Sequence, residues 1–542
     1  MRLTLPFYCA ALLLQGLYLP AGLAQTKLRD YAFGGSGSDF STAALPTSNG
    51  GLLLAGSTFS PAGGDVSQPR FSSGIEADFW LVQTDAQGNK QWDKRFGGTG
   101  DDRLLTMLPT ADGGYLLCGS STSGASYDHT APSRGANDYW VVKIDSRGTK
   151  LWDKSYGTSG GDMLTTAVAA PDGGFLLVGW TSSPDDPAPN GDRTEPLLGD
   201  SDAWLVKIDA AGTKQWDKRL GGLGYDYVYD AVSTSGGFLI GALPFVPGGD
   251  VSGVTHGGND FWVAKVSDQG AKVWDRLYGG SGNDDLRTML ATPDGGVLVG
   301  GYSSSPVSGD KSVAAPAKTS WLLKLDAQGT KQWDNVYNTG TAWTEDDYLS
   351  TLALNPLGGY LLAGITAAGP TYGTADTDIW MAAIGMGGDL SWSRVYSGLD
   401  HDSPASIVPA PNGSVRLACS TPSGIGRDKT VSSRGGNDFW VLEIGSPALG
   451  VRPTQQASFS AALFPNPASA TDYVTLEVTG LPDSTPVQVT VLNSVGQVLQ
   501  TLTLTERPTG RRPLDVSRLP AGVYTVRLQT AQGTVNTQLL KH

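Results

Sequence analysis

Hydrophobic and polar residues alternate in short runs that repeat along most of this chain, with a period of about 60 residues. In the second unit the runs cover residues 104–109, 115–119, 138–145 and 150–156. They are rich in β-branched and aromatic residues and end at turn residues, which predicts four short strands. The hairpin signal Asp112-Gly113-Gly114 joins the first two runs, because glycine adopts the positive φ angles of tight turns. The pattern predicts a series of four-stranded antiparallel sheets.

Tryptophans mark the same repeat, and thirteen of the 15 in the chain occupy two positions of the unit. The third-strand position holds Trp80, Trp140, Trp204, Trp262, Trp321, Trp380 and Trp440, and the fourth-strand position holds Trp92, Trp152, Trp216, Trp274, Trp333 and Trp392. We interpret these residues as core that packs between neighbouring sheets. Seven such units are typical of a β-propeller. We therefore predict an all-β chain with a seven-bladed propeller over residues 25–445, in which residues 27–33 complete the last blade.

The two ends of the chain differ from the repeat. Residues 1–24 predict a secretory signal peptide, because Arg2 precedes an apolar run that ends in small residues before Gln25. That run is too short to span a membrane, and we expect no transmembrane segment elsewhere. Residues 446–459 predict a linker. Short alternating runs over 460–542 predict an immunoglobulin-like β-sandwich.

The C-terminal segment also carries ordered motifs. They are 464–467 (Phe-Pro-Asn-Pro), 493–497 (Asn-Ser-Val-Gly-Gln) and 519–524 (Leu-Pro-Ala-Gly-Val-Tyr). This order resembles the type A C-terminal sorting domain of type IX secretion cargo. The resemblance implies handling by the type IX secretion machinery, passage through the periplasm and across the outer membrane, and removal of the domain by a sortase-like protease. The motif residues are then Pro465, Asn466, Pro467, Gly496, Gly522 and Tyr524. The repeat region is similar to propellers of large secreted bacterial proteins.

Charge narrows the range of partners. The formal net charge is −14, and the 52 acidic residues comprise 46 aspartates and six glutamates. No basic track is present, so we expect no nucleic-acid partner. The aspartate bias indicates turns, or cations with oxygen ligands, more than a uniformly charged surface.

Aspartates recur at three positions that antiparallel topology brings to one end of the units. The first-strand position holds Asp39, Asp102, Asp162, Asp226, Asp284, Asp347 and Asp402. A second lies two residues before the third-strand tryptophan, at Asp78, Asp138, Asp202, Asp260, Asp378 and Asp438, and a third lies in the preceding loop, at Asp65, Asp128, Asp192, Asp250, Asp310 and Asp428. Two interpretations stay open: the aspartates lock turns through backbone hydrogen bonds, or the first-strand set binds Ca²⁺.

No catalytic motif is present, so our leading hypothesis is a binding or structural protein that is not an enzyme and acts as a monomer. We expect its ligand, a glycan or a protein, on the aspartate-rich face, with calcium as the candidate ion. Irregular loops add Trp180, Trp343 and Glu345 as candidate ligand contacts, since a tryptophan beside carboxylates suits a sugar ring. One alternative is a polysaccharide hydrolase or lyase that uses Glu345 and Asp347. Another is a protein-interaction platform with an exposed apolar patch.

Overall fold

The structure is a computed structural model that describes residues 26–182, 188–314, 318–337, 348–366, 377–445, 460–466, 468, 473–480, 486–492, 498–504, 510–520, 522–530 and 533–541. These residues form strands and turns and contain no helix. The predicted all-β class is therefore confirmed. The chain separates into two compact units, residues 1–446 and 447–542.

The first unit contains seven four-stranded antiparallel sheets, and six of them are built from strands that follow one another in the chain. Sheet 1 is β2 (Asp39–Pro46), β3 (Leu52–Thr58), β4 (Asp78–Thr84) and β5 (Lys90–Phe96); sheet 2 is β6 (Asp102–Pro109), β7 (Tyr115–Ser121), β8 (Asp138–Ile144) and β9 (Lys150–Tyr156). Sheet 3 is β10 (Gly161–Ala169), β11 (Phe175–Ser182), β12 (Asp202–Ile208) and β13 (Lys214–Leu220); sheet 4 is β14 (Asp226–Thr234), β15 (Gly237–Pro244), β16 (Phe261–Val266) and β17 (Lys272–Tyr278). Sheet 5 is β18 (Asp284–Ala291), β19 (Val297–Ser303), β20 (Thr319–Leu325) and β21 (Lys331–Tyr337); sheet 6 is β22 (Tyr348–Leu354), β23 (Tyr360–Thr366), β24 (Asp378–Ile384) and β25 (Leu390–Tyr396).

Sheet 7 joins the two ends of the first unit. It consists of β26 (Ser403–Pro409), β27 (Val415–Thr421), β28 (Asp438–Ile444) and the N-terminal strand β1 (Lys27–Phe33), which pairs with β28 as the sequence predicts. The first strands of successive sheets contact one another in a cycle that returns from sheet 7 to sheet 1. This arrangement leaves no first or last sheet with an uncovered face.

The core lies between neighbouring sheets. All seven third-strand tryptophans are buried. Aromatic pairs join one sheet to the next: the ring centroids of Phe79 and Trp140 are 4.6 Å apart, and those of Tyr139 and Trp204 are 5.0 Å apart. Each pair buries a large apolar area between two sheets, which fixes the sheets against one another.

The second unit is a pair of antiparallel sheets. One is three-stranded, in the order β29–β30–β33, and the other is four-stranded, in the order β32–β31–β34–β35. The strands are β29 (Ser460–Phe464), β30 (Tyr473–Thr479), β31 (Val487–Leu492), β32 (Val498–Leu504), β33 (Gly510–Asp515), β34 (Gly522–Thr530) and β35 (Gly533–Lys541). Residues such as Val474, Val489 and Leu528 share one buried core.

Candidate functional site

The aspartate end of the first unit is the end at which first strands begin and second strands finish. The first-strand aspartates of sheets 1–5 and 7 are all fully buried there. In sheet 2, the Asp102 carboxylate accepts hydrogen bonds from the backbone N–H of Gly98 at 2.6 Å and from the hydroxyl of Ser123 at 2.9 Å. The hydroxyl of Ser121 donates to the other oxygen. Asp102 thus closes the turn before its own strand and holds the end of the second strand.

The same backbone bond recurs in sheets 1, 3, 4, 5 and 7. The N–H four residues earlier donates to Asp39, Asp162, Asp226, Asp284 and Asp402. This geometry matches the interpretation in which each aspartate closes a turn by accepting a backbone hydrogen bond. The parts of the chain that the structure describes contain no group of three or more His, Cys, Asp or Glu side chains arranged to hold a metal ion. Asp347 lies outside the described residues, and calcium binding stays a prediction.

Carboxylates of neighbouring sheets meet at this end. The third-strand aspartate of one sheet faces the first-strand aspartate of the next, as Asp202 faces Asp226. A Cβ atom on Gly221 would lie 2.4 Å from an oxygen of each, so only glycine fits between them. The Oδ1 atoms of Asp202 and Asp226 are buried and accept no hydrogen bond from the protein groups described. Burial, reinforced by the neighbouring Asp202 carboxylate, raises the pKa of Asp226 to about 8.

Aspartates of neighbouring sheets also meet elsewhere, as Asp78 of sheet 1 does with Asp102 of sheet 2. Burial raises the pKa of Asp78 to about 7, although the guanidinium of Arg95 lies 3.3 Å from its carboxylate. It raises the pKa values of Asp102 and Asp162 to about 6. The aspartate end therefore holds a set of carboxyl groups whose pKa values are raised towards neutral pH.

A further aspartate lies on the outermost strand and binds the buried tryptophan. The indole N–H donates to it at 3.0–3.2 Å in six sheets, in the pairs Trp80–Asp93, Trp140–Asp153, Trp204–Asp217, Trp262–Asp275, Trp321–Asp334 and Trp440–Asp30. A lysine three residues earlier in the chain forms an ion pair with each carboxylate at 2.6–3.0 Å. The sequence identified these tryptophans as core, which is confirmed, but it did not reveal their polar partners.

Aromatic side chains on sheets 3–6 form a set at the aspartate end, with one group around Tyr227 and another around Arg287. We call it the aromatic band; its members are Trp180, Tyr225, Tyr227, Tyr229, Phe245, Tyr302 and Tyr348. The Tyr227 ring packs edge-on against Trp180 and Phe245, each at a centroid distance of 5.8 Å, and stacks with Tyr225 at 6.3 Å. Tyr225 and Phe245 are about half exposed, at 48% and 50%. Among the candidate ligand contacts that the sequence predicts, Trp180 belongs to this band, whereas Trp343 and Glu345 lie outside the described residues.

β-Bulges in the first strands position some of the side chains of the aromatic band. In every first strand the pairing register shifts three residues after the aspartate position, so that one residue is left unpaired. In sheet 4 this residue is Tyr229, and in sheet 5 it is Arg287. A bulge redirects the side chain that it carries. Tyr229 stands at a bulge position where other units have residues such as Thr42, Thr165 and Ala405, and this departure is the sequence signal for that part of the site.

A separate cavity lies between sheets 1 and 2. Its volume is about 510 Å³, and Arg70, Phe71, Glu76, Thr99 and Tyr127 contribute to its lining. The rings of Phe71 and Tyr127 stack at 4.8 Å. Tyr127 has a positive φ of 47°, a conformation that is costly for a residue other than glycine.

The C-terminal motifs hold the last strand in place. The side chain of Asn466 donates to the carbonyl of Gln538 at 2.6 Å and accepts from the N–H of Leu540 at 2.9 Å. The Tyr524 hydroxyl donates to the carbonyl of Pro520 at 2.6 Å. Pro465 lies in the bend that precedes Asn466, and Gly522 begins β34, where it pairs with Lys541. Pro467 and Gly496 lie outside the described residues.

Comparison with known proteins identifies this second unit. Residues 462–542 match the family described as "Secretion system C-terminal sorting domain". The domain is a type IX secretion sorting signal, so the chain is exported to the cell surface or the extracellular space. No helix among the described residues is both long and apolar enough to cross a membrane.

The first unit has weaker similarities. The chain is 26% identical over 272 residues to the regulatory protein FlaEY of Caulobacter vibrioides; the match covers 47% of this chain and only 28% of that protein. Among solved structures, a puromycin hydrolase superposes with a TM-score of 0.41 at 14% identity, over 84% of this chain and 60% of the hydrolase. A Synechocystis apocarotenoid oxygenase superposes with a TM-score of 0.36 at 10% identity, over 91% and 98% of the respective chains. These similarities are too low to assign an activity.

Proposed function

We propose that residues 25–445 form a seven-bladed β-propeller that binds a saccharide at the surface or outside the cell and does not catalyse a reaction. The closed cycle of first strands supports the propeller arrangement. The aromatic band is the observation that carries the binding function. Calcium binding by the first-strand aspartates is not needed for this proposal and stays a separate prediction.

The chemistry of the band favours a saccharide. The rings of Trp180, Tyr227 and Phe245 meet at angles of 85° and 86°, so their faces point in different directions. Aromatic faces offer apolar contact to the C–H faces of sugar rings, and tyrosine hydroxyl groups add hydrogen bonds. An exported protein meets polysaccharides outside the cell. A protein partner is the competing occupant, because Leu223 and Val246 beside the band are also exposed.

Loss of one band residue is expected to weaken saccharide binding. Tyr227→Ala removes the ring that contacts Trp180, Tyr225 and Phe245, so we expect affinity to fall at least about tenfold, as for a central aromatic contact. The measurement is isothermal titration of the full-length chain with neutral and acidic polysaccharides. Tyr115→Ala is the matched control: Tyr115 is also partly buried, but it lies at the opposite end of its sheet. Equal losses in both variants, or no binding across the panel by the unsubstituted chain, would contradict the proposal.

Export is expected to depend on Asn466. Asn466→Ala removes two hydrogen bonds to β35, each contributing about 1 kcal/mol. We expect the protein to accumulate in the periplasm and its surface or released fraction to fall several-fold. Fractionation and immunoblotting would measure this. Glu477→Gln, which breaks only an exposed ion pair with Arg511, serves as the control and should be exported normally.

A further inference from the structure

A guanidinium lies within the aromatic band, surrounded by tyrosines. The central carbon of Arg287 is 4.8 Å from the ring centroid of Tyr229, 5.6 Å from that of Tyr302 and 5.7 Å from that of Tyr348. These rings come from sheets 4, 5 and 6. Arg287 occupies the bulge of β18, the position at which the strand redirects its side chain towards this surface.

Arg287 has no ionic partner in the described parts of the chain. Its Nε atom is buried and donates no hydrogen bond there. Asp285, two residues earlier on the same strand, accepts a hydrogen bond from Asn259 at 3.1 Å and forms no ion pair with Arg287. The tyrosine rings are therefore the contacts that the described structure gives to this guanidinium.

A second cation, Lys318, lies close to Tyr302. The ammonium of Lys318 is 4.0 Å from the centroid of the Tyr302 ring, so two like charges share one aromatic side chain. Cation–π attraction offsets only part of their repulsion and of the lost hydration. A bound anion would offset this concentration of positive charge, and a guanidinium is well shaped for a two-pronged contact with a planar carboxylate or a sulfate.

We propose that Arg287 and Lys318 bind the anionic substituent of an acidic polysaccharide, a carboxylate or a sulfate, while the sugar rings lie on the aromatic band. This inference rests on the proposed function, and it deepens that function by naming the ligand class. The aromatic rings contribute contact area that any saccharide would use. Arg287 and Lys318 contribute the selectivity for an acidic saccharide.

The test is titration of the full-length chain with three probes: polygalacturonate for carboxylates, dextran sulfate for sulfates and unmodified dextran as a neutral polymer. Arg287→Gln is expected to lower the affinity for at least one acidic polymer about tenfold or more and to reduce the salt dependence of binding. Arg287→Lys should recover part of the affinity, because it restores the charge without the planar donor group. A thermal melt of each variant checks that the fold is kept.

Arg103→Gln is the matched control. Arg103 also lies on a first strand at the aspartate end, 5.7 Å from the centroid of Phe59, but it already has an ion pair with Asp101 at 2.6 Å. Its loss should change affinity less than about twofold. Neutral and acidic polymers binding equally well, with no effect of Arg287→Gln, would overturn this inference and leave the proposed saccharide function standing. Binding of none of these polymers, or of a protein alone, would overturn both.

Discussion

The free energy of unfolding is expected to fall as the pH rises from 5 to 9, and Asp226 is expected to make the largest single contribution. Its folded-state pKa of about 8 lies well above its ordinary value of 3.8, because it is buried beside Asp202. Between these two values the folded chain binds a proton that the unfolded chain releases. The contribution of Asp226 to the free energy of unfolding is therefore complete below about pH 4 and is lost as the pH rises through about 8.

The size of the effect follows from the pKa difference. One pKa unit corresponds to about 1.4 kcal/mol, so the Asp202–Asp226 pair should lose on the order of 2 to 4 kcal/mol between pH 5 and pH 9. Arg219 lowers the pKa values of both carboxyl groups, but burial outweighs it, and both pKa values are raised. Asp78, with a pKa of about 7, adds a smaller decline in the same direction.

Denaturant titrations of the unsubstituted chain and of Asp226→Asn at pH 5, 7 and 9 would measure this. The carboxamide keeps the acceptor for Gly222 and cannot ionise, so the variant should gain stability relative to the unsubstituted chain as the pH rises. Asp209→Asn, in an exposed turn of sheet 3, should leave the pH dependence unchanged. A variant and a parent whose stabilities change in parallel from pH 5 to pH 9 would show that the pair does not hold a proton.

The repeated sheets could be predicted from the sequence because their signals are local. Alternating apolar residues, Asp-Gly-Gly turns and third-strand tryptophans mark each strand within a few residues, and the pairing of β1 with β28 follows from the incomplete seventh unit. In the C-terminal unit the strand signal is weakest at β33. The strand β33 contains Arg511, Arg512 and Pro513 and lacks the β-branched residues that signal a strand.

The site was less predictable because its contacts join different units. Antiparallel topology places the aspartates at one end, but the meeting of Asp202 with Asp226 depends on how one sheet packs on the next. The aromatic band depends on the bulge that redirects Tyr229 and Arg287, and a bulge has no distinct signature in these runs. Of the members of the aromatic band, only Trp180 stood out in the sequence, because it departs from the tryptophan repeat.

Replacement of one outer-strand aspartate is expected to destabilise the first unit strongly. In sheet 2, Asp153 accepts from the Trp140 indole at 3.2 Å, from the Thr130 amide at 2.9 Å and from Lys150 at 2.9 Å. Burial alone would raise the pKa of Asp153, but these hydrogen bonds outweigh it and lower the pKa, so the ionised form is the stable one. Asp153→Ala leaves the buried indole N–H without an acceptor and removes the counter-charge of Lys150, whose ammonium keeps its hydrogen bond to the Asp128 carbonyl, at a cost of about 3 kcal/mol.

Sheet 6 provides the matched control within the same chain. Ser393 stands there where Asp153 stands in sheet 2, and the Trp380 indole N–H has no hydrogen-bond partner among the described residues. Ser393→Ala should therefore change the free energy of unfolding by less than about 0.5 kcal/mol. Denaturant titration followed by circular dichroism compares the two variants. A similarly small change in Asp153→Ala would mean that the tryptophan is held by apolar packing alone, and that its bond to the aspartate contributes nothing measurable. A large loss confined to Asp153→Ala would make this polar contact a second element, beside the apolar core, that fixes each outer strand.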